Sequence, residues 1–162
     1  MRSLLGLVLL LATGASAQTL APISAQTLSG REVSVPDQMP AQRSILVFGF
    51  KQSHTKEFDA WRGPLAQLAK KEGVDWVELP FVDVGKILKA VIRAAMNATM
   101  SDDLTREHFA PVWDSPEATK VALGIESDEQ VVVVVCDETG TVLARVDGDP
   151  TAEAIATLTA AL

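Results

Sequence analysis

Two runs of apolar β-formers constrain this chain more than any other feature. Ser44-Ile-Leu-Val-Phe-Gly-Phe50 and Gln130-Val-Val-Val-Val-Val-Cys136 carry no polar residue at alternate positions. A strand that is apolar on both faces needs cover on both faces, so each run predicts a central strand inside a layered α/β structure. The first run is followed by Phe58, Trp61, Leu65 and Leu68 at three- and four-residue steps, one apolar stripe of a helix over about 53–71. Gly63-Pro64 interrupts that helix and predicts a kink, because proline lacks the amide proton and clashes with the preceding turn. Gly73 ends it, and Val74-Asp-Trp-Val-Glu-Leu-Pro80 is the next strand; two strands joined through a helix are normally parallel.

The remaining elements flank this centre. Gln18 to Ser24 reads as a loose leader, and Gln26 to Pro36 as a strand, a tight turn at Ser29-Gly30 and a strand with Val33 and Val35 alternating. Ile87, Leu88, Val91, Ile92, Ala95 and Met96 form a second helical stripe, expected to face the core, with Lys86, Lys89, Arg93 and Asn97 expected on the solvent side. Ser101-Asp-Asp caps a short helix over Leu104 to Phe109, and Ser115-Pro116 starts another that stops at Gly124. Asp137-Glu-Thr-Gly140 is a hairpin turn into the strand Thr141 to Val146. A final helix opens after Gly148-Asp149-Pro150, with Ile155, Leu158 and Leu162 inward. The order is hairpin, β, α, β, α-rich insertion, β, β, α.

The first residues read as an address. Met1-Arg2-Ser3, the apolar run Leu4 to Leu11 and the small-residue end Ala15-Ser16-Ala17 have the three regions of a secretory signal peptide. Cleavage after Ala17 leaves 162 − 17 = 145 residues, 18–162, enough for one domain with a real core. The expected location is periplasmic or secreted, with no membrane span after cleavage. A formal charge of −7, with no Lys/Arg cluster beyond Lys70-Lys71, makes nucleic acid and anionic lipid poor partners.

The lead-in Leu28 to Pro36, the strand Ile45 to Phe50, the hairpin Val134 to Val142 and Arg145-Val-Asp-Gly148 resemble the thioredoxin-like superfamily, over roughly 28–162. The resemblance implies a three-layer fold: a central mixed sheet flanked by helices, with an N-terminal hairpin and a helical insertion over Phe81 to Trp113. It also implies that the active region follows the strand ending at Phe50, in Lys51-Gln-Ser-His-Thr-Lys-Glu57, with His54 and Glu57 near the two positions where the superfamily carries cysteines. There is one cysteine in the chain, Cys136, and the loop Glu126 to Gln130 lacks the proline that the superfamily places beside its active site. Imidazole and carboxylate groups cannot exchange disulfides. A narrower similarity, in Trp61, Thr105-Arg-Glu-His-Phe109 and the missing proline, is to the mitochondrial ATP-synthase assembly factor family and its bacterial relatives, which implies an assembly or chaperone role.

Three residues carry candidate chemistry. Cys136 ends a valine-rich strand beside Asp137 and Glu138, a setting for an inert buried thiol; exposed, it would serve a one-cysteine peroxidase. His54 and Glu57 are three residues apart at a helix start, where they would form a general-base pair or an anion-binding mouth if their side chains met, and where Ser53 or Thr55 would supply the cap. His108 lacks the three or four converging ligands that zinc needs, so no metal is expected. No glycine-rich phosphate loop is present and no cofactor is expected. The reading is therefore a binding or accessory protein acting on a protein partner in the cell envelope through Lys51–Glu57 and Lys86–Trp113, with an enzyme at His54/Glu57 or Cys136 as the alternative.

Overall fold

The computed structural model describes residues 17–39 and 41–162. Most of the expected signal peptide, 1–16, lies outside the described residues. Six strands and five helices follow in the order β1 (Ile23–Gln26), β2 (Glu32–Val35), β3 (Arg43–Gly49), α1 (Thr55–Glu72), β4 (Asp75–Pro80), α2 (Lys86–Thr99), α3 (Asp103–His108), α4 (Glu117–Leu123), β5 (Val132–Asp137), β6 (Val142–Asp147) and α5 (Ala152–Ala161). The main sheet has the order β4-β3-β5-β6; β3 is parallel to β4 and antiparallel to β5, and β5 is antiparallel to β6. β1 and β2 form a separate antiparallel hairpin.

The two unbroken apolar runs occupy the centre of this sheet for the reason their composition demands. Side chains alternate across a strand, so Ile45, Val47, Val133 and Val135 pack on one face against Phe58, Trp61 and Leu65 of α1 and Leu158 of α5. Leu46, Phe48, Val132, Val134 and Cys136 pack on the other, against Ile23, Val33 and Val35 of the hairpin, Val112 and Leu123. Segment 109–112 runs parallel to the outer edge of β4, with Ala110 N–H donating to Glu78 O at 2.8 Å and Val112 N–H to Pro80 O at 2.9 Å. The insertion thus covers an edge that would otherwise present unpaired backbone groups.

Three expectations need correction. Gln18 to Ser24 is no loose leader: Leu20 and Ile23 are buried, Thr19 bridges to Thr141, and Leu20 N–H donates to Gly140 O at 2.9 Å. Their apolar side chains complete the hairpin-side core, a long-range demand invisible in local pattern. α1 starts at Thr55 without any side-chain cap from Ser53 or Thr55. α2 is rotated relative to its stripe. Ile87, Leu88 and Val91 are exposed, whereas Ile92, Arg93, Met96 and Asn97 are half-buried. The guanidinium of Arg93 explains the rotation: it donates to Gln26 O at 3.1 Å and Thr27 O at 2.6 Å, tying the helix's expected solvent side to the hairpin.

Candidate functional site

The C-terminal ends of β3 and β4, the start of α1 and the loop before β5 meet at one end of the sheet. A single 3-10 turn, Gln52–His54, leads from β3 into α1. It brings His54 back over the strand end, where Phe50 N–H donates to Nδ1 at 3.1 Å. That bond assigns the proton to Nε2, which has no hydrogen-bond partner among the described residues, although His54 is 1 % exposed. Glu57 turns elsewhere. Its Oε2 accepts from Val131 N–H at 2.8 Å, holding the loop that precedes β5. No hydrogen bond or ion pair joins His54 to Glu57; each is occupied by a separate backbone amide.

Two cations tether the same loop. Lys51 Nζ pairs with Asp128 at 3.0 Å and with Glu129, and Lys120 Nζ reaches Asp128 at 2.9 Å. These bonds hold the Asp128 carboxyl down at about 2 and push the Lys51 ammonium above its ordinary range. Lys120 also lies 5.4 Å from the centre of the Phe50 ring, which stacks on Phe81 at 5.5 Å.

Beside this loop, between α1 and α2, opens a cleft of about 500 Å³. Phe50, Phe58, Phe81, Ile92, Met96 and Met100 supply most of its apolar wall, and Lys51, Gln52, Thr55 and Asp83 its polar lining. Under it lies a pair absent from the sequence reading. Glu78, fully buried in β4, accepts from Arg62 Nε and Nη2, both at 2.8 Å, and Arg62 lies 5.9 Å from the centre of the Phe109 ring. Burial outweighs the pull of Arg62 and pushes the Glu78 carboxyl up to about 7. The signal was readable: a glutamate inside Trp-Val-Glu-Leu, an otherwise apolar strand, requires a buried cationic partner.

The other candidates sit at the opposite end. Phe48 pairs with Val132 at the mouth and Ser44 with Cys136 four residues away, which separates the thiol from the mouth by about 13 Å at ~3.3 Å per residue. Cys136 is fully buried, its Sγ is 3.6 Å from Ser44 O, and burial with help from Asp137 pushes the thiol up to about 12. A thiol so placed supplies almost no thiolate at neutral pH. His108 stacks on Trp76 at 4.2 Å, and its Nδ1 lies 2.7 Å from Trp76 O. Trp61 donates from Nε1 to Gly148 O at 2.7 Å inside the core, and Trp113 is half-buried with Lys89 Nζ 5.4 Å from its ring centre. Among the described residues no three His, Cys, Asp or Glu side chains are grouped to hold a metal ion.

No protein-family model matches the chain, and no curated protein matches it. Solved structures do. The exposed lipoprotein thioredoxin Etrx1 of Streptococcus pneumoniae is 18% identical with a TM-score of 0.56, over 88% of this chain and 100% of that one. A DsbE-type thiol:disulfide interchange protein of Chlorobium tepidum is 16% identical with a TM-score of 0.56, over 90% and 96%. BsSco, of the Sco family of cytochrome c oxidase assembly proteins, is 16% identical with a TM-score of 0.52, over 90% and 94%. The chain, a mixed four-stranded sheet with flanking helices and an N-terminal hairpin, has the thioredoxin-like fold of these neighbours, and with one cysteine it can form neither a CxxC nor an internal disulfide.

Proposed function

We propose that this chain is an exported thioredoxin-fold protein without dithiol chemistry that acts by binding, as an accessory or assembly factor in the cell envelope. The observation that carries the reading is the cleft at the mouth: about 500 Å³, walled by aromatic rings and Met96 and Met100, with no sulfur nucleophile at the start of α1. Apolar clefts with a few polar groups at the lip suit ligand capture, and the thioethers of Met96 and Met100 adapt to irregular apolar side chains. The occupant we assign is an apolar segment of a protein partner. Export rests on the pattern of the first 17 residues. An assembly role is the one carried by the neighbour BsSco, which has the same scaffold.

The enzyme alternatives have less behind them. His54 and Glu57 are each bonded to a different backbone amide, and Cys136 lies buried at the far end of the sheet. The test is a photo-crosslinking residue at Gln52, on the cleft lip, in cells exporting the chain. One specific envelope adduct, lost in a folded Met96→Glu variant, supports the reading. An adduct that Met96→Glu leaves intact overturns it, as does turnover of insulin disulfides or hydroperoxide by the purified protein.

A further inference from the structure

The cleft floor rests on a charged cluster with too few cations. Phe58 and Phe109 both line the cleft and meet edge to face, 6.1 Å between ring centres. Behind them the Arg62 guanidinium lies 5.9 Å from the centre of the Phe109 ring. That one cation serves three carboxylates. Nε and Nη2 donate to Glu78, both at 2.8 Å, Nη1 donates to Asp59, and the charge of Asp102 at the start of α3 also bears on the pair. Asp59 and Asp102 are exposed and keep their water, whereas Glu78 is fully buried. Its neighbours across the strand ladders are apolar: Val47 on β3 and Phe109 on the segment beside β4. Among the described residues, the charged groups facing Glu78 are therefore Arg62 and Asp59 of α1 and Asp102 ahead of α3.

A carboxylate accepts from both arms of the guanidinium fork; a carboxylic acid does not. The acid's O–H is itself a donor, so one oxygen then meets an Arg62 N–H with a proton of its own, and one of the two bonds is lost. Burial without a full complement of cations favours the neutral acid, so both forms are populated near neutral pH. With Glu78 neutral, the guanidinium keeps its charge, and its remaining anions are Asp59 and Asp102, both toward solvent. Movement toward them draws it off the Phe109 ring, which loses the cation that backs it against Phe58. Close-packed rings have no slack while the guanidinium fills the space behind them. Its withdrawal lets the floor recede and the cleft deepen.

We propose that the Arg62–Glu78 pair is a proton-operated latch on the cleft: protonation of Glu78 opens the fork, frees the Phe58–Phe109 floor and tightens the grip on an apolar segment. The latch rests on the cleft being the capture site. The test uses the purified protein and the uncharged apolar dye phenylnaphthylamine, whose own charge does not change over the range. Wild type should bind the dye about threefold more tightly at about pH 6 than at about pH 8. Glu78→Gln, whose amide also turns a donor toward the fork, should bind at the tighter value at both. In wild type the ε-methyl carbon resonances of Met96 and Met100 should follow the Glu78 carboxyl resonance through the same midpoint. Saturating dye should raise that midpoint by about half a unit, because the coupling is reciprocal. Equal wild-type affinity at both pH values, a midpoint that dye leaves unmoved, or a pH dependence that persists in folded Glu78→Gln overturns the latch. Flat methyl resonances with dye binding that Met96→Glu abolishes overturn the latch and leave the capture site standing. Dye binding that Met96→Glu leaves intact removes the capture site, and the latch with it.

Discussion

Glu78 and Arg62 illustrate how one side chain inside a strand dictates a neighbour 16 residues away along the chain. A carboxylate without water costs several kcal/mol unless it is paired, and the fork of Arg62 supplies both bonds. Burial still holds the folded-state carboxyl at about 7, above its ordinary 4.5. Between those values the native protein binds a proton that the unfolded chain has released, so stability falls as pH rises from about 4.5 to about 7. Urea midpoints of the wild type and Glu78→Gln across that window check this. The wild type should lose on the order of 1–3 kcal/mol relative to the variant. Cys136 gives a second expectation. Its thiol should resist labelling by a disulfide reagent in the native protein and react at once in denaturant, because exchange needs an accessible thiolate. Fast native labelling would return the thiol to the candidate list. The two candidates at the mouth stay apart for a simple reason: spacing of three puts His54 and Glu57 on one helical face only if both belong to one helix, and His54 belongs to the preceding 3-10 turn.

At the scale of elements, α1 does two jobs. Its inner stripe builds one core, and its first turn sends Glu57 across to Val131 N–H, fixing where β5 begins. Glu57→Ala leaves a buried amide without a partner and should cost about 1–3 kcal/mol in chemical denaturation. Faster hydrogen exchange at the Val131 amide should accompany it. The loop so held is also clamped by Lys51 and Lys120 through Asp128, whose carboxyl sits at about 2. That contribution is fully present above about 3.8 and is lost as pH falls toward 2. α2 carries the opposite lesson. Periodicity identified the helix and its apolar stripe, but which arc meets the body was decided by two hairpin carbonyls that accept from Arg93. Neither carbonyl has any sequence signature, since a backbone acceptor exists at every residue.

For the whole molecule, a single sheet separates two cores, and α5 closes one of them with Leu158 against Trp61 and Val133. Leu158→Ala should therefore cost about 2–5 kcal/mol. Because the central strands serve both cores, the loss should appear as one cooperative transition, with tryptophan fluorescence and far-UV circular dichroism melting together. Separate transitions would mean that the cores unfold independently. The order of elements, the central position of β3 and β5 and the absence of a second cysteine were all determined by the sequence itself. Apolar periodicity, turn residues and composition are local, and each acts on the chain within a few residues. Tertiary structure alone decided the burial of Leu20 and Ile23, the outward arc of α2, the separation of His54 from Glu57, the Arg62–Glu78 pair and the cleft between α1 and α2. Each of these depends on which distant backbone amide, carbonyl or apolar surface the fold carries to a given side chain, and that distance is set by the sheet and not by any local pattern.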